Sequence, residues 1–484
     1  MIIRTSLKSF SSFVRSRFQP LLWCMFSLFA LSLSASEKPN ILIILADDMG
    51  YGDLTCYNPK GKIPTPHLDA LAANGMRFTD AHSGGSSCIP SRYALMTGRF
   101  AVHQSMRLND GPLIKNGRET IASLLKEQGY STAMVGKWHL GFDPYLQNTK
   151  KPADYTQELK GGPVDCGFDT FFGMHASLDL PPYFYIRDRK ATMPPSEDIA
   201  ANNSMNTADK WTNIQGAFWR KGKIAPDFKM EDVTQRLADE AVQVIQNHTQ
   251  EKPLFLYLSL PSPHTPWLPP KEFVGKSGAG MYGDFVLQVD DVVGQVSKAL
   301  NHKQMQDNTL IIFSSDNGPV WYDKDCERFA HKATGELRGM KFSSHEGGHR
   351  MPFIASWPKE TPKASTCEQT IVFSDLFATF AELNKGNHKP AKNNGEDSVS
   401  FLAFLKGDKN IEKRPAIIHD RWTIRDGKWK LILKHKKGRS NYPEIALYDL
   451  SNDLSEQNNI ASKHPAIVEK FSLFLNEALK DSKQ

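Results

Sequence analysis

Short, uninterrupted apolar runs that end abruptly in polar clusters recur along the chain. Asn40-Ile-Leu-Ile-Ile-Leu-Ala46 stops at Asp47-Asp48-Met-Gly-Tyr-Gly-Asp53. Thr132 to Val135 leads into Gly136-Lys137-Trp138-His139, Leu254 to Leu260 into Pro261-Ser-Pro-His264-Thr-Pro, and Thr309 to Ser314 into Ser315-Asp316-Asn317-Gly318. Runs this short with no polar alternation predict strands covered on both faces, as in a parallel sheet.

Between these runs the spacing becomes helical. Pro66 to Asn74, Glu119 to Gln128, Glu231 to Asn247 and Asp284 to Asn301 are predicted helices, the first two closed by Gly75 and Gly129. Strands alternating with helices predict an α/β fold with a parallel sheet. Such sheets bind ligands beyond the carboxyl ends of their strands. All four predicted strand ends carry Asp, Asn, Lys or His, so a site is expected there.

The stretch from Phe142 to Asp227 has no clean period and is rich in Pro, Gly and aromatics. It is expected to be a long surface excursion that shapes a pocket. Thr423 to Leu433 reads as a hairpin turning at Asp426-Gly427, Ile445 to Leu450 as a further strand, and His464 to Lys480 as an amphipathic helix. These predict a small antiparallel sheet-plus-helix domain over residues 406–484, after a catalytic domain over 37–405.

The N-terminal residues change the charge picture. Arg4, Lys8, Arg15 and Arg17 precede an apolar run from Leu21 to Leu33, and Ser34-Ala35-Ser36 offers small residues for cleavage. Residues 1–36 are therefore expected to be a signal peptide, with a periplasmic or secreted mature protein and no stable membrane insertion. Its four cations account for most of the net charge of +6, leaving +2. A mature chain so close to neutral gives no ground for nucleic-acid binding. Lys434, Lys436, Lys437 and Arg439 form a local basic run, suited to a solvated loop or to contact with an anionic polymer. Five cysteines remain, Cys56, Cys88, Cys166, Cys326 and Cys367, in no zinc-ribbon or CxxC spacing. An odd number leaves at least one thiol unpaired in the chain, and Cys88 is the expected one.

Asp47, Asp48, Asp316 and Asn317 are hard oxygen donors of the kind that calcium and magnesium take. Cys88-Ile-Pro-Ser-Arg92, followed by Thr97-Gly98-Arg99, closely resembles the sulfatase signature. The resemblance spans roughly residues 37–460. It implies the alkaline-phosphatase-like architecture, a large mixed and mostly parallel sheet sandwiched by helices. It also implies hydrolysis of sulfate monoesters, one calcium ion, and oxidation of Cys88 to formylglycine by a maturation enzyme. Asp47, Asp48, Asp316 and Asn317, with residue 88, resemble the family's metal ligands. Arg92 resembles the group that holds the formylglycine, and Lys137 and His139 in Gly-Lys-Trp-His-Leu-Gly resemble its sulfate-binding and catalytic pair. His264 and Lys341 resemble the groups that meet the ester oxygen. In that scheme a hydroxyl of the hydrated aldehyde attacks sulfur with Asp316 as base, His264 or Lys341 protonates the leaving alcohol, and His139 deprotonates the second hydroxyl.

Two other readings are weighed on the same residues. His345-Glu346-Gly347-Gly348-His349 has the spacing of a zinc protease, which needs a helix to align both histidines; its two central glycines predict no helix. The same segment, through Arg350, resembles the sulfatase Glu-Gly-Gly-x-Arg loop. A phosphomonoester or phosphodiester hydrolase of the same superfamily, or a non-catalytic glycan-binding scaffold, would share the architecture. Ser177 to Tyr183 offers aromatics that suit a sugar ring, so the substrate is expected to be a sulfated glycan or small sulfate ester.

Overall fold

A computed structural model describes residues 38–480, apart from 149, 152, 206, 208–209, 385–391, 409–413 and 438–439. The predicted signal peptide and the end of the basic run at Arg439 lie outside the described residues. Among the described residues, no helix is long and apolar enough to cross a membrane.

The four apolar runs form strands β1 (Asn40–Ala46), β3 (Ser131–Lys137), β5 (Leu254–Ser259) and β6 (Thr309–Ser315). β1 lies between β5 and β6, β5 also pairs with β3, and every one of these pairings is parallel. Their carboxyl ends therefore share one edge of the sheet. Ile41 to Ala46 are all at most 2% exposed. Side chains alternate across a strand, so both faces of β1 are covered. Three strands that lacked a clear pattern complete the main body: β2 (Met76–His82), β4 (Thr170–Met174) and β7 (Arg350–Ser356). β7 runs antiparallel to β6 and to β2, and this makes the sheet mixed. With β8 (Ser365–Cys367) and short strands at Ile186–Arg187, Lys190–Ala191 and Ile371–Val372, the sheet has eleven strands. β4 and the two short strands after it arise inside the Phe142–Asp227 excursion, which is thus partly an extension of the sheet.

Helices α1 (Pro66–Ala73), α4 (Val233–Asn247) and α5 (Gly280–His302) pack as one group; α2 (Cys88–Thr97), α3 (Ile121–Glu127) and α6 (Asp375–Leu383) pack as another. α2 starts at Cys88 and ends where Gly98 takes φ +64°. The Thr-Gly-Arg tail of the signature is thus a left-handed helix stop. A separate antiparallel sheet follows, in the order β9 (Ile417–Asp420), β10 (Thr423–Asp426), β11 (Trp429–Ile432) and β12 (Ala446–Asp449). The Asp426-Gly427 turn joins β10 to β11 as predicted, and α7 (Pro465–Lys480) buries Phe471 and Leu475 against this sheet.

The Glu346–Gly–Gly–His349 segment corrects one expectation, because it forms a single helical turn. The glycines are there for contact: a Cβ on Gly347 would lie 2.5 Å from the Gly339 carbonyl oxygen, and one on Gly348 2.1 Å from that of Ser343. His345 only caps the turn. Its Nδ1 faces Ser343 Oγ and Tyr442 OH, each at 3.3 Å, whereas His349 Nδ1 faces His82 Nδ1 at 3.1 Å. The two histidines thus have separate partners and do not form the protease pair.

Candidate active site

Each parallel strand delivers its polar cluster to the same edge. Asp47 and Asp48 follow β1, Lys137 closes β3 with His139 just beyond, His264 follows β5, and Asp316 and Asn317 follow β6. The chain bends sharply to turn them inward. Asp48 has φ +64° and His139 φ +57°, left-handed values that non-glycine residues seldom adopt. Gly136 has φ +116°, and a Cβ there would lie 1.9 Å from the Ser259 carbonyl oxygen. The glycine lets β3 lie close enough to β5 for Lys137 to reach the site.

Cys88 stands at the first turn of α2, with Sγ 3.5 Å from Asp47 Oδ1 and 3.6 Å from Lys341 Nζ. The helix N-terminus favours negative charge at this position. Burial, followed by the neighbouring Asp47 carboxylate, pushes the Cys88 thiol far above its usual range. All five described cysteines are unpaired, so Cys88 is not distinguished by lack of a disulfide.

Three carboxylates face three cations here. Lys137 bonds Asp47, Lys341 Nζ lies 2.6 and 2.8 Å from the two Asp48 oxygens, and Arg92 donates to Asp316 Oδ2 through Nε at 2.9 Å, with Nη2 in ion-pair contact at 2.7 Å. Burial alone would raise Asp47, but Lys137, His264 and Arg92 hold it well below the usual carboxylate range. Asp316 goes the other way, raised by burial and by the Asp47 charge. Burial would lower Lys341, but Asp48 keeps it firmly protonated. His139 is kept neutral, first by burial and then by the Lys137 charge, and its Nδ1 has no hydrogen-bond partner. His264 Nε2 lies 3.6 Å from Asp48 Oδ2.

The donor set fits a hard cation. Asp47, Asp48 and Asp316 offer carboxylate oxygens, and Asn317 Oδ1 is buried with no hydrogen-bond partner. One oxygen each from Asp47 and Asp48, Cys88 Sγ and a His264 nitrogen all lie within 4.8 Å of one another. An oxygen-rich cluster with an orphaned amide oxygen suits calcium better than zinc.

All ten residues singled out in the sequence lie at this strand edge, on the first turns of α2 (Cys88 and Arg92) or on a loop that reaches it. The reading missed much of what surrounds them. Asp48, His264 and Lys341 open into a cavity of about 540 Å³ that Asp179, Arg220, Trp422 and His435 also line. Asp179 belongs to the segment over residues 177–183 expected to meet a sugar ring, and it does line the cavity, although no motif marked the residue itself. Trp422, in the turn between β9 and β10, and His435, in a separate two-stranded ribbon after β11, lie more than 330 residues beyond Cys88 in a chain of 484. A buried ion network fastens the small sheet to the body. Arg425 donates to both Asp80 oxygens at 2.7 and 2.6 Å, and Lys430 bridges Glu346 and Glu456 at 2.9 Å each. Spacing along the chain gives no hint of such pairs.

Cations and carboxylate and amide oxygens suited to a metal, converging beyond a mostly parallel sheet, mark a hydrolase of anionic esters with the alkaline-phosphatase architecture. Comparison with known proteins narrows the class. The chain belongs to the sulfatase family, whose family model, described as Sulfatase, matches residues 39–386, and it is a sulfuric ester hydrolase. An N-acetylgalactosamine-6-O-sulfatase of Bacteroides thetaiotaomicron is 34% identical, over 91% of this chain and 93% of that protein. Human arylsulfatase A is 33% identical, over 89% and 85% of the two chains. A solved structure from Bacteroides thetaiotaomicron glycosaminoglycan metabolism superposes with a TM-score of 0.79 at 31% identity, covering 92% of this chain and all of that one.

Proposed function

We propose that the chain is an exported sulfatase that removes a 6-O-sulfate from an N-acetylgalactosamine-type sugar of a sulfated glycan, using a formylglycine made from Cys88 and one calcium ion. The observation that carries this reading is the position of Cys88, between the Asp47 carboxylate and the Lys341 ammonium where parallel strands converge. The sugar is argued from likeness to the N-acetylgalactosamine-6-O-sulfatase and from a cavity wide enough for one ring.

Asp47, Asp48, Asp316 and Asn317 would hold the calcium. When present, a formylglycine at position 88 would supply the attacking oxygen and a calcium held by these groups would polarise the sulfate. Lys137, Lys341 and Arg92 offset the charge of the bound ester. Arg92 also orients Asp316, which is assigned as the group that accepts the nucleophile's proton. His264, on the open side of the cavity, is placed to give a proton to the departing alcohol oxygen. His139, neutral and with a free Nδ1, is placed to take the proton whose loss expels sulfate.

Mass spectrometry of the peptide spanning residue 88, from protein made with a formylglycine-generating enzyme, tests the nucleophile. A mass below that of the cysteine peptide, with sulfate released from N-acetylgalactosamine 6-sulfate, is expected. Full turnover by Cys88→Ala would overturn the proposal.

A further inference from the structure

Beside the active-site cavity lies a second one, of about 650 Å³, and the two share Ser86, Asp420 and Trp422. The shared wall is fixed in place. Phe342, the neighbour of Lys341, donates its backbone N–H to the Ser86 carbonyl at 2.8 Å. Asp420 accepts from Ser344 Oγ and from the Trp422 backbone N–H, each at 2.7 Å. The Trp422 ring stacks on His435 at 4.8 Å and 13°. The indole is thus a braced platform between two chambers, not a mobile surface side chain.

The second chamber differs from the first in its charge. It is lined by Arg107 and Arg421, both exposed and both without a side-chain hydrogen bond or ion pair among the described residues. Its acid, Asp420, is already occupied by the two bonds above. Two unpaired guanidinium groups in one concave site form a receptor for a carboxylate or sulfate, which arginine binds in bidentate fashion. An aromatic platform at the junction suits the apolar face of a sugar ring.

We propose that this second chamber is a subsite for the neighbouring unit of the substrate chain, an anionic sugar bearing a uronate or a second sulfate, gripped by Arg107 and Arg421 and stacked at Trp422. The proposal rests on the sulfatase reading above and extends it, making the enzyme one that prefers a charged oligosaccharide to a single sulfated sugar.

The test compares kcat/KM for three substrates: a 6-sulfated monosaccharide, a disaccharide or longer fragment with a neutral neighbour, and the same fragment with a uronate or sulfated neighbour. The mature wild-type enzyme should favour the charged fragment at least tenfold, and raised salt should shrink that preference. The double variant Arg107→Ala/Arg421→Ala should lose the preference and keep monosaccharide turnover within about twofold, with an unchanged melting temperature. Uronate and sulfate arms then show which anion the chamber takes. Equal wild-type rates on charged and neutral fragments, or a full preference in the double variant, would overturn the subsite. No turnover of any sulfate ester by protein with confirmed formylglycine would instead overturn the sulfatase reading on which it stands.

Discussion

Arg92 holds Asp316 by a single oxygen: Nε at 2.9 Å and Nη2 at 2.7 Å both meet Oδ2, while Oδ1 accepts from the Asp48 backbone N–H at 3.2 Å. One arginine therefore ties the end of β6 to the end of β1, and its Nη1 donates to the Lys137 carbonyl at 3.3 Å, adding β3. Arg92→Lys keeps the charge but cannot make these contacts together. It should lower kcat by about 100-fold or more, in the range seen when a preorganised donor is removed. Arg92→Ala leaves Asp316 buried and unpaired and should cost about 3–5 kcal/mol of stability. Steady-state kinetics and chemical denaturation read the two effects separately.

Chelation should remove activity while leaving the fold largely in place. Each of Asp47, Asp48 and Asp316 has a cationic partner within the chain, so loss of the ion would not leave three unopposed buried charges. EGTA treatment is expected to abolish sulfate release, and calcium to restore it, with little change in the far-UV circular dichroism spectrum. Asp316→Asn should weaken calcium binding at least tenfold by calorimetry, because affinity follows ligand charge. Global unfolding on chelation would contradict this account.

Stability should fall on the acid side. Burial lowers His175 from its ordinary 6.5 to about 4, while its Nε2 donates to the Pro182 carbonyl at 2.8 Å. A histidine whose folded pKa is depressed contributes stability above its unfolded pKa. That contribution is lost as pH drops from about 6.5 to about 4, because the unfolded chain takes the proton first. The loss from this residue is about 3 kcal/mol. His345, lowered to about 3, acts in the same direction. Denaturation midpoints measured from pH 7 to 4 should fall, and His175→Gln, which can still donate to Pro182, should flatten the slope.

The interior apolar runs made the parallel core of the sheet legible, because a strand covered on both faces has no other way to be written. β1 begins and ends where the pattern put it, and α4 and α5 differ only at their ends. β2 and β7 were not foreseen. Met76-Arg-Phe-Thr-Asp-Ala-His82 carries charges for distant partners, among them Asp80 for Arg425, and those charges blur its strand pattern. The candidate catalytic cluster was readable because its residues sit in local motifs, most of them at strand ends and Cys88 and Arg92 at the start of α2. Asp179 lies in a segment the sequence did mark out, whereas Trp422 and His435 reach the same cavity through tertiary contact alone, which a pattern along the chain does not record.

Lys430→Met should be more damaging than its distance from the reaction implies. Its ammonium is buried between Glu346 and Glu456. Removing it leaves Glu346 under-compensated and should cost about 3–5 kcal/mol. The loss should appear as a lower melting temperature, with KM for a sulfated substrate rising as Trp422 and His435 lose their support. An unchanged melting temperature would show that the network contributes little.

That network also limits how the chain can be taken apart. A catalytic half ending near residue 405 would carry Asp80 and Glu346 without Arg425 and Lys430, and would expose to water one wall of its own substrate cavity. Hybrids between relatives should therefore exchange the acidic and basic halves of the junction together. An isolated N-terminal portion would be a poor starting point for engineering new specificity, although it holds all ten residues proposed for the reaction.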